Sequence, residues 1–435
     1  MRGTQRSQII STKLDQIAEQ AVEHPERVFT SLIHHIDEDF LREAHRRLNK
    51  SAAPGLDGMT AKEYAENLDE NLKALHERMK SGKYKAPLVK RVWLDEEGKK
   101  RPIGISEYED KIVQKAVAMM LEAVYEQDFS DFSYGFRAGR SPHQALQEIR
   151  KQSMGKEIGW IIDADIEGFF NNLGHSEMRE IIKRRVNDGG IIRYIGKWLK
   201  AGVVDGETLS YPEKGAPQGG VISPILSNIF LHHVLDEWYE EEVKPRLKGS
   251  SFLIRYADDF VIGCEMEEDA RRVMEVLTKR FERFGLSIHP EKTKMVSFRK
   301  PPREQSGGKG KGTFDFLGFT HYWAKSRQGN WVIKRKTARK RQRRAMKRAW
   351  EWCRKHRHEP LREQYWKLSL KLKGHYQYYG IIGNYQMMEK LYWHVVETWT
   401  YWLNRRSHKK SMTREQQEVF RLVYPLPPPQ IVNAI

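Results

Sequence analysis

The segment 252–263, FLIRYADDFVIG, constrains this chain more than any other. Two adjacent carboxylates, Asp258 and Asp259, interrupt an otherwise apolar run. Phe252, Leu253 and Ile254 precede them, and Phe260, Val261 and Ile262 follow. Short flanks of branched and aromatic residues predict two core β-strands. A hairpin turn is the simplest reading, because Asp is a common turn residue. Yet a solvated turn has no need of two mutually repelling acids bracketed so tightly by hydrophobics. A cation held between them would remove the repulsion, and such an ion would want a third oxygen ligand.

That ligand is offered by GWIIDADIEGFFNN (159–172). Trp160, Ile161 and Ile162 start a strand, and the two-residue period sets Asp163 and Asp165 on one face of it. Three carboxylates from neighbouring strands, gathered on a pair of hard divalent cations, match the two-metal arrangement for phosphoryl transfer. One ion activates a sugar hydroxyl, and both steady the charge in line with the leaving pyrophosphate. Each motif alone is weak, since Asp-x-Asp pairs often serve as structural turns.

Charge says what such a site would act on. The chain of 435 residues, long enough for two or three domains, has a formal charge of +18. That balance points to a polyanion, nucleic acid before an anionic membrane. From Lys334 to Arg357 there are 13 Lys/Arg against one acid, Glu351, with Trp350 and Trp352 among them. Ala and Met positions favour a helix there. Charge this dense repels itself unless a polyanion neutralises it, so a phosphate-tracking helix is expected over a merely solvated one. Two distant cysteines, Cys264 and Cys353, exclude a disulfide scaffold and a Cys-paired zinc ribbon. The first residues hold no apolar signal core, and no run is long enough to span a bilayer. A soluble, intracellular, basic protein is expected.

Residues 1–50 read as helical, and SAAPGLDGMT (51–60) as a structured loop. Residues 61–160 mix helices with a strand candidate, LVKRVWL (88–94). Short strands alternate with helices from 160 to 320, PPREQSGGKGKG (301–312) is a basic loop, and the chain is helix-rich after 330. In GAPQGGVISPILSNIF (215–230) a glycine turn leads into a helix, allows close backbone approach, and offers Gln218 to a base or sugar. SYGFRAGRSPHQAL (133–146) is a Gly-punctuated basic loop, and FDFLGF (314–319) reads as a strand whose glycine admits another backbone.

In order, APGLDG, RPIGIS, SYGFRAGR, DADIEGFF, PQGGVISPILSN, RYADD, GLSIHPEKTK and FLGF cover roughly residues 50 to 320. This series resembles the reverse transcriptase/maturase family encoded by bacterial group II introns. LSLKLKGHYQYYG (368–380) is similar to the family's maturase signature in the thumb. The resemblance implies an α/β (α+β) right-hand polymerase: an N-terminal helical extension of the fingers (1–50), fingers and palm (51–320), and a helical basic thumb/maturase region with its tail (321–435).

Residue by residue, the resemblance makes Asp165, Asp258 and Asp259 the catalytic metal-binding triad, with Asp163 a supporting acid. Phe170 takes the place of the aromatic gate that crowds a 2′-hydroxyl, with ordinary core packing as its plain alternative. Ile166, Gln218, Gly219, Arg101 and Lys111 fall at nucleotide-side positions, where charge assistance toward a triphosphate is expected. Tyr256 would pack under the primer end. Arg343, Arg344, Lys347, Arg348, Lys373 and Tyr376 would meet RNA, although Tyr376 also reads as helix core. The implied cofactor is a pair of Mg²⁺ ions, with Mn²⁺ as a substitute. The implied partners are RNA template and intron RNA, DNA primer or target DNA, and dNTPs, without a membrane, in a bacterial, nucleoid-associated cytoplasmic setting.

Three departures stand out. The lysine that the family carries after Ile-Pro in the fingers hairpin is replaced within VWLDEEGKKRP, where Lys99 or Lys100 takes its place. Asn171 stands where an Asp commonly follows the double Phe. No Cys-paired His-Asn-His endonuclease module follows the maturase region, so target-strand cleavage is not expected of this chain. The leading expectation is an RNA-directed DNA polymerase that also assists splicing and mobility of its intron. A domesticated relative in host repair or phage defence, and a mainly RNA-binding splicing factor, are the alternatives.

Overall fold

A computed structural model describes residues 2–96, 99–215, 219–302, 310, 312–406 and 411–435. Its strands in chain order are β1 (Val89–Glu96), β2 (Lys99–Ile105), β3 (Trp160–Ala164), β4 (Val203–Asp205), β5 (Thr208–Ser210) and β6 (Ser251–Tyr256). They continue with β7 (Asp259–Cys264), β8 (Lys294–Ser297), β9 (Phe314–Phe316), β10 (Phe319–Lys325) and β11 (Trp331–Thr337). Three sheets result, ordered β2-β1-β4-β5, β6-β7-β3-β8 and β11-β10-β9.

The central sheet is antiparallel throughout and positions the acids. β6 and β7 form a hairpin with Tyr256 opposite Asp259, so only Ala257 and Asp258 make the turn. β3 lies between β7 and β8, with Ala164 opposite Phe260. One step further along that register sets Asp165 level with Asp259. The apolar runs are near-continuous because both faces of the sheet are covered. Ile162, Leu253, Phe260 and Ile262 join a core built with helices Arg2–Glu23, Glu38–Arg47, Tyr108–Tyr125 and Glu267–Arg283. Ile161, Phe252, Ile254 and Val261 join a second core with Phe314, Phe319, Trp323 and Trp331.

The C-terminal part departs from its sequence reading in three ways. The basic run opens as strand β11, whose WVIKRKT alternation buries every second residue, and becomes the helix Arg339–His356 only afterwards. Residue 320, expected to end the palm, falls inside β10, because strand pairing carries the sheet across it. Gly318 is not within a strand: with Leu317 at φ +49 and Gly318 at φ +80, the pair forms the two-residue turn between β9 and β10. What approaches the glycine is a side chain, since a Cβ there would meet the Tyr379 hydroxyl at 2.9 Å. Helices Arg339–His356, Leu361–Tyr379 and Tyr385–Leu403 enclose a third core around Cys353, Leu372, Tyr376, Met388 and Trp399.

Candidate active site

Asp165, Asp258 and Asp259 meet at one end of the central sheet, close enough to feel one another's charge. Burial raises the Asp258 carboxyl, Asp165 raises it further, and Arg101 and Arg255 pull it back. Asp259 opens to solvent on one side, yet the surrounding protein and the charges of Asp258 and Asp165 push it up to about 6. Asp163 is pushed up to about 7, first by burial and then by Asp259, Asp315 and Asp165. Each of these shifts records negative charge that the protein gathers without fully neutralising.

The segment 285–294, after helix Glu267–Arg283, explains how Asp165 is held. GLSIHPEKTK folds back over it: His289 N–H donates to the Asp165 carbonyl at 2.8 Å, and Ile166 bridges Ile288. Thr293 Oγ1 accepts from Asp165 N–H at 3.2 Å. Lys292 Nζ lies 2.6 Å from Asp165 Oδ2, so an ammonium faces the carboxylate from its open side. Among the described residues, no three His, Cys, Asp or Glu side chains are drawn together as a finished metal cage. The donor set still suits a hard divalent cation in kind: the oxygens are all carboxylate, and the nearby cations offset their mutual repulsion only in part. Such an ion supplies Lewis acidity toward phosphoryl oxygens when bound.

The structure treats the nucleotide-side expectations unequally. Arg101, on β2 opposite Leu94, reaches toward the acids closely enough to act on Asp258. Lys100 is exposed on the same strand, while the side chain of Lys99 lies outside the described residues. Phe170 is half-buried in a cleft of about 240 Å³ that it shares with Pro102, Gly104, Asn171, Lys214 and Gly215. Gly219 (φ +104) closes onto the fingers, since a Cβ there would stand 2.8 Å from the Gly104 carbonyl oxygen. Gln218 lies outside the described residues. The Ile166 side chain is buried, leaving only its main chain to a nucleotide. Lys111 is a correction: it is 7% exposed, and its Nζ donates to the Ala53 carbonyl at 2.6 Å. It ties down the 51–60 loop because a buried ammonium must find an acceptor.

Tyr376 is a second correction. It is 3% exposed inside the third core, and its hydroxyl donates to the Pro427 carbonyl at 3.1 Å, so it offers no face to a base. The spacing of LSLKLKGHYQYY puts it on the inward side of its helix, whereas Lys373 is exposed. Arg343, Lys347 and Arg348 are exposed on helix Arg339–His356, with Lys347 3.8 Å from Glu351, and Arg344 is half-buried. Tyr256 is half-buried against the second core. Sequence reasoning did not single out Lys292, Thr293, Arg255 or Arg341. Arg341, at the start of the basic helix, pulls the pKa of Asp259, Tyr378 and Tyr379 downward, and so brings thumb charge to the palm. The one usable signal was the charge at Arg255, placed inside an otherwise apolar strand.

A sheet that ends in clustered carboxylates, with a basic hairpin on one side and a basic helical region on the other, defines a right-hand nucleic-acid polymerase. Residues 69–321, more than half of the chain, match the family described as reverse transcriptase (RNA-dependent DNA polymerase). The chain is 31% identical over 328 residues to Protein YkfC of Escherichia coli (strain K12), covering 66% of this chain and 84% of that protein. It is 31% identical over 283 residues to the group II intron-encoded protein LtrA of Lactococcus lactis subsp. cremoris, covering 61% of this chain and 46% of LtrA. It is 32% identical over 246 residues to an uncharacterized 91 kDa protein in the cob intron of Schizosaccharomyces pombe, covering 55% of this chain and 30% of that one. The chain thus spans most of YkfC but less than half of the two intron-encoded relatives. It belongs to the reverse transcriptase family, in the group with the group II intron-encoded reverse transcriptase/maturase proteins. No helix among the described residues is long and apolar enough to cross a membrane.

Proposed function

We propose that this chain copies RNA into DNA by nucleotidyl transfer supported by two Mg²⁺ ions, with Mn²⁺ as a substitute, held by Asp165, Asp258 and Asp259. The observation that carries the reading is the meeting of these three acids at one sheet end, opposed by Arg101 from the fingers. Arg101 would steady the incoming triphosphate, Phe170 would crowd its 2′ position, and Gln218 with the Ile166 main chain would line the same place. Asp163 would act as a supporting acid whose carboxyl, pushed up to about 7, keeps its proton below neutral pH. The organisation we propose is an N-terminal fingers extension (1–50), fingers and palm (from 51), and a thumb/maturase region to 435 that is rooted in the sheet β11-β10-β9.

The second half of the reading is RNA binding by the thumb. Arg343, Arg344, Lys347, Arg348 and Lys373 would hold the folded RNA of the intron that encodes this chain, assisting its splicing and mobility while the RNA supplies its own chemistry. RNA template, intron RNA, a DNA primer or target and dNTPs are the partners, in a cytoplasmic, nucleoid-associated setting. The experiment is primer extension on an RNA template, run beside splicing of the neighbouring intron RNA at low Mg²⁺, with the parent and Asp258→Asn. The variant is expected to lose DNA synthesis and to keep RNA binding and splicing stimulation. Template copying by the parent without any splicing stimulation would leave a domesticated polymerase. Stimulation without copying would leave a splicing factor.

A further inference from the structure

The strand that leads into the two adjacent acids contains a fully buried charge, Arg255. β6 is SFLIRY, and Arg255 within it is 0% exposed, as is its partner Asp236. Arg255 Nε donates to Asp236 Oδ1 at 2.8 Å, and Nη2 donates to Asp236 Oδ2. A buried ion pair is a poor way to gain stability, because taking both charges out of water offsets most of their attraction. Its presence asks what else the guanidinium does.

The third nitrogen answers. Arg255 Nη1 donates to the Ala257 carbonyl at 3.0 Å and to Asn228 Oδ1 at 3.0 Å. Asn228 Nδ2 in turn donates to the Gly135 carbonyl at 2.8 Å. Gly135 is pressed against the turn itself, for a Cβ there would lie 2.1 Å from Ala257 N. The main chain of Arg255 is held as well: Tyr134 N–H donates to its carbonyl at 2.9 Å, and its N–H donates to the Phe132 carbonyl at 2.9 Å. Ala257 has φ +57, a region that residues with a Cβ seldom occupy. A left-handed residue immediately before Asp258 aims both acids, and it persists only where its surroundings fix it.

We propose that Arg255, Asp236 and Asn228 are positioning residues that lock the Ala257 turn and thereby set how tightly Asp258 and Asp259 hold divalent cations. The guanidinium fork spans three groups at once, the Asp236 carboxylate, the Asn228 amide and the Ala257 carbonyl. A lysine presents a single point charge and cannot span them. The clamp joins two segments to the turn: the 133–140 loop through Gly135, and helix Ser223–Leu231 with its π-helical continuation His232–Glu237 through Asn228 and Asp236. None of the three residues touches a substrate. Their action is exerted through the backbone of the turn. The proposal rests on the metal-ligand reading of the triad, and its test separates the two.

The test compares Arg255→Met with Asp236→Leu, which removes both charges together and keeps the volume apolar, against Arg255→Lys and Asn228→Ala. Each is assayed for melting temperature, for the Mg²⁺ concentration that half-saturates primer extension, and for Mn²⁺ binding by loss of the free-ion EPR signal. Groups that orient metal ligands from behind typically contribute about 10–100-fold to metal affinity. The double variant is expected to melt near the parent, to need about tenfold or more additional Mg²⁺, and to bind Mn²⁺ correspondingly weaker. Arg255→Lys should resemble the double variant, and Asn228→Ala should shift in the same direction, which keeps the test alive if the double variant does not fold. Parental Mg²⁺ and Mn²⁺ values in any folded variant of the three overturn the clamp. Asp258→Asn is the control: if it binds Mn²⁺ like the parent, the triad reading itself falls, whereas its loss of binding beside an unaffected double variant sinks only the clamp.

Discussion

The β6–β7 turn and the helix Arg339–His356 each concentrate charge of one sign, and they hold it in contrasting ways. At the turn every acid has defined neighbours: Lys292 on Asp165, Arg101 near Asp258, Arg341 and Lys292 near Asp259. Gly135 presses directly on the turn, and the 287–293 segment pins Asp165 beside it through the backbone. The helix instead displays Arg343, Lys347 and Arg348 to solvent, with Glu351 the one acid among its residues. Metal ions read position to a fraction of an ångström, while phosphate chains read summed charge. A site of the first kind fails at one substitution, and a site of the second kind weakens by degrees.

The largest expected effect tests the first half of that contrast. Asp165→Asn keeps size and removes one anionic ligand, and a metal ion supplies several kcal/mol of charge stabilisation to such a reaction. Primer extension should therefore fall by about 10²-fold or more, with the melting temperature nearly kept. A folded variant that copies RNA at close to the parental rate would mean the triad is assigned wrongly.

The helix should respond gradually. Neutralising Arg343, Arg344, Lys347 and Arg348 together should flatten the slope of log K against log salt by up to about three, at roughly 0.7–0.9 for each phosphate contact. Any one of them alone should account for only its share. An unmoved slope would show that this face meets solvent or another partner. Phe170→Ala comes next, because Phe170 lies between a cleft beside the fingers strands and the first core. Opening the cleft should shift the ribo/deoxy preference by about tenfold or more, since one or two carbons of steric fit are worth that much. Unchanged sugar preference with a large fall in melting temperature would return Phe170 to the core, where deletion costs about 3–5 kcal/mol. The smallest change is expected from Tyr376→Phe, which removes the bond to Pro427 and should cost about 0.5–1.5 kcal/mol of stability. RNA affinity should stay put in that variant and drop in Lys373→Ala; the reverse pattern would contradict the burial of Tyr376.

What could be read from the sequence follows the same divide. The hairpin around Asp258 and Asp259 was legible because short branched and aromatic flanks, a turn-forming residue type and paired charge all agree within twelve residues. Asp165 was legible as a strand-end acid, and its register with Asp259 followed only once β3 was seen between β7 and β8. Lys111 and Tyr376 were misread because a family resemblance matches residue types in order without saying which side of a helix is covered. Lys111 and the Ala53 carbonyl it meets are separated by a loop whose path no local pattern reveals. Strand β11 was hidden by its charges, since outward Lys334 and Lys336 and inward Arg335 mask the inward alternation of Trp331, Ile333 and Thr337. Arg255 and Asp236 are 19 residues apart and meet through tertiary structure alone.

The central sheet has no wet side, and that has a consequence for how the molecule ages. Its two faces belong to two cores that unfold only by exposing the sheet between them, so the carboxylate end should vanish in one cooperative step. The third core encloses its own three helices and carries the basic helix with it. A preparation warmed past the first step would then keep its grip on RNA after its copying chemistry is gone. Such spent molecules would sit on template as competitors, and the activity of a stored sample would fall faster than the fraction of intact protein.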